Sequence, residues 1–478
     1  MKKSLFLLAC LFVMVGCTPS NASPTPPAPP KPAPQKPKPM AKLPAKLSEA
    51  TRTFFAGSLA EVSSPEPVAP DHKLKLSELE AYRNAMWQLW RESNKAFSEE
   101  KLPSPALISE TMPSHVWNLP NEEDGGQSFP ARMPFYYGYK GARPSAGYPL
   151  FLYLHGSGDK GPEWENGRRF AGQFKDGPSI YFVPQIPNEG QLYRWWQRSK
   201  LHAWEKLLRL ALLSDEVDPL RIYFFGISEG GYGSQRLASY YADYLAGAGP
   251  MAGGEPLINA PVENCQHIAF SLRTGSKDNM FHRDRLTQIT KDAFEAQQAR
   301  YPGYYKHFID IIPKYGHAIP YQYTTPYLSQ HVRTPQPNQV NWEDYPIDGL
   351  YRKGCYNLAP LKRPEGKERI YYQENILGNT VDLKINTVKY VEKKVSDWYT
   401  SFHLVLLYNK VYEPAKGGKL RVYLSPELLD LSKPVRVLVN GQQVYSGMVK
   451  ADWSHLVESC SRFFDPERLF PAAIDIAY

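Results

Sequence analysis

The stretch Arg221-Ile222-Tyr223-Phe224-Phe225-Gly226-Ile227-Ser228-Glu229-Gly230-Gly231 joins a nearly continuous apolar run to a helical stretch through a turn of small residues built around one serine. A serine on a tight strand-to-helix turn needs small neighbours at 226 and 230, because the backbone there is strained and closely approached. Such a turn exposes the hydroxyl at a helix amino terminus, where free amides and the helix dipole favour developing negative charge. A phosphate-binding turn is the competing reading, but the glycines at 226, 230, 231 and 233 do not fit G-x-G-x-x-G.

The apolar run is one of a series. Pro149 to Leu154, Ile180 to Val183, Ile222 to Phe225, Ile268 to Leu272 and Phe308 to Ile312 read as strands buried on both faces. Helical stretches, Leu201 to Leu213, Tyr232 to Tyr244 and Arg283 to Arg300, lie between them. This rhythm predicts an α/β fold with a parallel sheet covered by helices, whose ligands bind beyond the carboxyl ends of the strands. Asp278 follows the run ending at Leu272, and His317 follows the run ending at Ile312. A serine nucleophile needs such a base and an acid to orient it. Asp284, in a predicted helix, and Asp310, inside a strand, are the rival acids.

Leu154-His155-Gly156-Ser157-Gly158 follows the first strong strand, and its small residues let backbone amides face the cleft. The amides of Ser157 and Glu229 are the expected oxyanion donors. His155 is expected to brace that loop. Tyr193, Arg194, Trp195 and Trp196 lie in a loop after a strand, where the rings suit stacking on a sugar or phenol and the guanidinium suits a carboxylate. Tyr321 and Tyr323 are further candidates of the same kind.

The motifs HGSG, GISEGG, GSKD and YGH make residues 133–320 resemble an α/β-hydrolase of the esterase branch that includes polyhydroxybutyrate-depolymerase-like proteins and feruloyl or acetyl-xylan esterases. The order Ser, Asp, His along the chain is that of this superfamily. The resemblance implies Ser228, Asp278 and His317 as a triad, an acyl-enzyme mechanism, and neither metal nor other cofactor. It leaves the acyl group and the alcohol open. The leading reading is a serine esterase acting on carboxylic esters, carbohydrate-linked ones above all. A serine peptidase of the prolyl-oligopeptidase type and a non-catalytic glycan-binding surface protein are the alternatives.

Residues 1–17 carry Lys2 and Lys3, an apolar run from Leu5 to Val15, and Gly16-Cys17. This is the layout of an export signal. The run is too short to cross a bilayer core of about 30 Å as a helix. Met14-Val15-Gly16-Cys17 resembles the lipobox of bacterial lipoproteins, which implies cleavage before Cys17, acylation there, and anchorage in the cell envelope at the outer membrane or cell surface. Eleven prolines between Pro19 and Pro44 predict an extended stalk over 18–46. Seven of the lysines lie in residues 1–46 with no acid, so the formal charge of +8 leaves only +1 for the rest. No nucleic-acid partner is expected, since that would need clustered cations on the folded part.

The remainder divides by pattern into a helical and loop segment at 47–130, with an amphipathic helix at 75–100, a catalytic domain at 131–330, a connecting segment at 331–384, and a small antiparallel β domain at 385–478. Asn440-Gly441 marks a hairpin there. Beyond Cys10 and Cys17, Cys265, Cys355 and Cys460 show no paired spacing and read as buried apolar residues.

Overall fold

The computed structural model describes the backbone of residues 39–62, 68–398 and 403–478, and the side chains of these except 394–398 and 403. The expected signal segment, Cys17 and the stalk as far as residue 38 lie outside the described residues. Where the proline run ends at Pro44, helix α1 (Ala45–Leu59) begins at once. Proline is tolerated ahead of a helix and disruptive inside one. Helix α2 (Leu79–Ala96) carries the amphipathic pattern and buries Met86, Leu89 and Trp90. Phe55 of α1 meets the Trp90 ring edge-on at 4.8 Å.

The larger sheet and its helices are built from β1 (Ala106–Leu107), β2 (Ser114–Asp124), β3 (Gln127–Lys140), β4 (Tyr148–Leu154), α3 (Lys160–Gln173), β5 (Ser179–Pro184), α4 (Arg198–Leu213), β6 (Val217–Ile227), α5 (Glu229–Tyr240), β7 (Gly247–Met251), β8 (Ala269–Gly275), α6 (Arg283–Arg300), β9 (His307–Ile312) and α7 (Thr324–Leu328). The strands form one sheet in the order β2, β3, β5, β4, β6, β7, β8, β9, with β1 also paired to β3. The pairs from β5 through β4 to β9 are parallel, and β2 and β3 are antiparallel at one edge. This is the expected α/β arrangement, a largely parallel sheet with helices between its strands. Strands β4, β5, β7 and β8 are buried at every position, as a sheet covered on both faces requires.

The β-rich part starts earlier than its sequence pattern shows. It comprises β10 (Gln339–Asp344), β11 (Leu358–Lys362), β12 (Ile370–Leu377), β13 (Thr380–Trp398), β14 (His403–Pro414), β15 (Lys419–Leu424), β16 (Val435–Val439), β17 (Gln442–Gly447), helix α8 (Trp453–Phe463) and β18 (Ala472–Ala477). One sheet holds β10, β12, β13, β14, β16 and β17, and a second holds β11, β15 and β18. Pairing is antiparallel except between β13 and β16. Asn440 and Gly441 have φ of 49° and 83°, as a two-residue hairpin turn demands. The two sheets enclose a separate apolar core that includes Trp342, Leu383, Val422 and Val437. Helix α8, by contrast, packs Trp453 and Leu456 into the core of the larger sheet. The Trp453 Nε1–H donates to Thr51 Oγ1 of α1 at 2.9 Å. Cys265, Cys355 and Cys460 are free and buried.

Glu374, on β12, is fully buried; one carboxyl oxygen accepts from Asn357 Nδ2 at 3.0 Å and the other has no partner. Burial, against only that one hydrogen bond, pushes its carboxyl up to about 8. The native state therefore keeps a proton that the unfolded chain releases above about pH 4.3, and stability falls as pH rises from there to about 8. Glu374→Gln should remove this slope and stabilise the protein at pH 8 by about 2–4 kcal/mol. Urea unfolding of both proteins at pH 5 and pH 8 checks it; parallel losses between the two pH values would contradict it.

Candidate active site

Ser228 sits between β6 and α5 at φ 57° and ψ −115°. A side chain on Gly230 would run into the carbonyl oxygen of Leu154, and one on Gly226 into that of Gly230. The small residues of the turn are thus a packing requirement. The Ser228 N–H donates to Met251 O at 2.9 Å and its carbonyl accepts from Tyr232 N at 3.0 Å, so the strained residue is fixed by β7 on one side and α5 on the other.

His317 Nε2 lies 2.9 Å from Ser228 Oγ, and its Nδ1 lies 2.7 Å from Asp278 Oδ2. The loops carrying the last two residues are tied together, because Lys277 N donates to Tyr315 O at 2.8 Å and Ser276 N to Ile312 O at 2.9 Å. The Asp278 side chain is 3% exposed while that of His317 is 46% exposed, so the acid is shielded and the imidazole faces the cleft. Burial pushes the Asp278 carboxyl up, yet the hydrogen bond from His317 and the charge of Arg283 leave it below the ordinary carboxylate range. Of the rival acids, Asp310 faces Arg273 at 3.5 Å and Asp284 caps nothing on His317, its backbone N–H donating to Asp278 O at 3.2 Å.

Arg283 is a site residue that the sequence pattern did not single out. Its Nη1 donates to Asp278 Oδ1 at 2.9 Å and its Nε to the Tyr232 hydroxyl at 2.9 Å. It opens α6 directly after Phe281 and His282, consecutive residues at φ 55°. An Arg five positions after the acid was the one available signal, and nothing in periodicity says which way it points.

The loop after β4 approaches the serine closely: a Cβ on Gly156 would lie 3.3 Å from Ser228 Cβ. Ser157 and Glu229 line a cavity of about 520 Å³ beside Ser228. Burial raises the Glu163 carboxyl, and a hydrogen bond from the Gly156 amide partly offsets this.

The aromatic loop divides in two. Tyr193 and Trp195 are buried, and they do not line the cavity: the Tyr193 hydroxyl donates to Gly156 O at 2.8 Å and Trp195 Nε1 to His155 O at 3.0 Å. They hold the Gly156 loop in place, which corrects the expectation that they meet substrate. His155 shares that work. Ile186 N donates to its Nε2 at 3.1 Å, so its proton is on Nδ1, which donates to Gly156 O at 2.8 Å. Burial takes this imidazole down to about 4, so it stays neutral as a brace must. Arg194 and Trp196 do line the cavity, together with Arg236, Phe281 and, from β14, Leu404. Tyr321 and Tyr323 do not; Tyr321 packs on Phe170 and Tyr323 under Arg273. Among the described residues no group of three or more His, Cys, Asp or Glu is placed to hold a metal ion.

No family model matches the sequence, and no curated protein matches it either. Solved structures similar to about half of the chain include esterases and serine hydrolases. A thermostable esterase is 20% identical with a TM-score of 0.33, over 46% of this chain and 63% of its own length. A mutant feruloyl esterase module from Clostridium thermocellum, complexed with sinapinate, is 16% identical with a TM-score of 0.30, over 49% of this chain and 94% of its own. The siderophore hydrolase EstA from Aspergillus nidulans is 13% identical with a TM-score of 0.30, over 49% of this chain and 97% of its own.

Proposed function

We propose that the protein is a serine hydrolase of carboxylic esters, with carbohydrate-linked esters as its substrates. The observation that carries this reading is the hydrogen-bonded chain from Ser228 Oγ through His317 to Asp278, beginning on a strained residue at the amino terminus of α5. His317 Nε2 takes the hydroxyl proton as Oγ bonds to the ester carbonyl carbon, and Asp278 holds the imidazole tautomer and stabilises the imidazolium. The carbonyl oxygen becomes an oxyanion facing the amides of Ser157 and Glu229. Collapse of this intermediate breaks the ester C–O bond; the departing alkoxide takes the proton from His317 and leaves an acyl-serine. Water, deprotonated by His317, then attacks the acyl carbon. Serine regains the proton and the acid departs.

A fluorophosphonate should label the purified protein on Ser228, and acetyl or feruloyl esters of sugars should be turned over faster than peptide substrates. Absence of labelling would reject the hydrolase reading, and faster peptide cleavage would reject the ester.

The same reading places the enzyme on the bacterial cell envelope, held at the outer membrane or cell surface through lipid on Cys17. Support comes from the motif ending at Cys17 and from the proline-rich segment after it. Among the described residues no helix is long and apolar enough to cross a membrane. Cys17→Ser should move the protein from membrane to soluble fractions after a high-salt wash, since acyl chains supply the anchoring energy. Retention in the membrane would refute the anchor.

A further inference from the structure

The cavity beside Ser228 does not end with the hydrolase loops. A second cavity of about 280 Å³ adjoins it, and the two share Arg194, Trp196, Arg236 and Asn259 as walls. Its far side comes from the β-rich part: Tyr345, Asp348 and Arg369. A carboxylic ester held at Ser228 therefore has room to extend past the scissile bond into a subsite that residues after 330 complete.

The charges in that subsite are not equivalent. Arg236 is held by Glu255 through two hydrogen bonds, at 2.6 and 3.1 Å, and its guanidinium lies 4.1 Å from the Trp196 ring centre. Arg369 donates to Glu343 at 2.6 Å and to Ile258 O at 2.7 Å. The Asp348 carboxylate accepts from Arg198 N at 2.7 Å. Arg194 differs. Its Nη1 donates to Tyr193 O at 2.8 Å and stands 3.2 Å from Glu229 Oε1, yet that oxygen is not aligned to accept a hydrogen bond. Burial first, with Glu255 adding to it against the opposing charges of Arg194 and Arg236, brings the Glu229 carboxyl to about 7. The Arg194 side chain is also 42% exposed, against 22% for Arg236 and 16% for Arg369, so a ligand carboxylate that presents two oxygens can reach its guanidinium. Around it, the Asn259 and Gln197 amide nitrogens already donate, to Glu255 at 2.7 Å and to Gln191 O at 3.4 Å, which leaves Asn259 Oδ1 and the Asp348 carboxylate as acceptors for ligand hydroxyl groups, with Trp196 as an apolar wall.

We infer that this joint subsite binds an acidic sugar, with Arg194 on its carboxylate, and that the enzyme's substrate is an ester borne on a uronate-containing glycan. This rests on the serine-hydrolase reading of Ser228 and names the substrate class for it. It also gives residues 339–369 a part in recognition.

The test uses the full-length protein and D-glucuronate, D-glucose and N-acetyl-L-glutamate as competitors of 4-nitrophenyl acetate hydrolysis, with binding of the same three compounds to the Ser228→Ala protein followed by calorimetry. Glucuronate should bind about tenfold or more tighter than glucose, the increment of one charge-assisted pair, and tighter than the acidic amino acid. In Arg194→Gln the glucuronate-to-glucose ratio should collapse to near one, with Arg194→Lys in between. Equal binding of glucuronate and glucose, or of glucuronate and N-acetylglutamate, overturns the inference, as does an unchanged ratio in Arg194→Gln. The calorimetric arm needs no turnover. Failure of hydrolysis or of fluorophosphonate labelling with glucuronate still bound would reject the hydrolase reading alone, and normal labelling without glucuronate preference would reject the subsite alone.

Discussion

Ser228→Ala should lower ester turnover by about 10⁶-fold, the loss seen when a triad nucleophile is deleted and only binding and oxyanion stabilisation remain. The fold should survive. Ser228 already carries a Cβ in its left-handed conformation, its backbone bonds to Met251 and Tyr232 do not involve the hydroxyl, and the only side-chain partner lost is the cleft-facing imidazole. The melting temperature of the variant should therefore match that of the parent, and fluorophosphonate labelling should vanish. Asp278→Asn should cost about 10⁴-fold in kcat with little change in KM, because the amide no longer fixes the imidazole tautomer. Arg283 sharpens that expectation. In the Asn variant an amide oxygen can still accept from Arg283 Nη1, but the negative charge is gone, and the guanidinium that Asp278 had balanced at 2.9 Å then further opposes the imidazolium formed during attack. If Ser228→Ala keeps its turnover, or if Asp310→Asn rather than Asp278→Asn loses it, the assignment of roles fails.

What the sequence made legible and what it hid follow from how each element is stabilised. The strands β4, β5, β6 and β8 are apolar runs because helices cover both faces, so hydropathy alone exposes them; β9 was read in the same way, but it is the edge strand and only Ile309 and Ile312 are buried in it, Phe308 being 37% exposed. β7 reads Gly-Ala-Gly-Pro-Met, with no apolar periodicity. Its burial comes from close approach: a side chain on Gly247 would meet Ala269 O and Leu328, and one on Gly249 would meet Thr324. β2 escaped for the opposite reason, being an exposed antiparallel edge with charged residues and an irregular register near Leu119 and Glu122. The three chemical groups were visible because each sits just past a strand. The loop at 193–196 was visible as an aromatic cluster, but irregular backbone has no period to say which rings turn inward, so Tyr193 and Trp195 became braces and Arg194 and Trp196 became walls. Leu404, contributed from β14, carries no local signal at all.

The start of the β-rich region illustrates a further limit. Residues 331–384 have little periodicity, yet they hold β10, β11 and β12 and several buried arginines and acids, among them Arg333, Arg352, Glu343 and Asp344. Polar residues in a sequence normally mark surface. Here they are inside because each charge has an opposite charge or a backbone carbonyl within reach, and pairing of that kind between distant positions cannot be read from a single chain.

The largest stability effect is expected at such a pairing. Asp465 is completely buried; it accepts from Arg333 Nη1 and Nη2 at 2.7 and 2.8 Å and from Arg468 Nε at 2.7 Å. Arg468 continues to Asp243, which also accepts from Arg352 Nη2 at 3.2 Å, so two acids and three arginines link the end of α5 to the segments around β10 and β18. Asp465→Ala should destabilise the protein by about 3–5 kcal/mol, because Arg333 then keeps its charge in a dry site with carbonyl partners only. Burial pushes the Asp465 carboxyl up, and the charges of Arg333 and Arg468 more than reverse this, leaving it at about 2. Since the unfolded value is near 3.9, its contribution is fully present above about pH 4 and is lost as pH falls toward 2. Urea unfolding at pH 7 and pH 3 should therefore show a gap between parent and Asp465→Asn that narrows at the lower pH. The double variant Arg333→Met, Asp465→Leu should recover part of the loss, because no charge is then stranded between those two positions. A gap that stays constant with pH, or a double variant less stable than Asp465→Ala, would show that the site works through packing and not through charge.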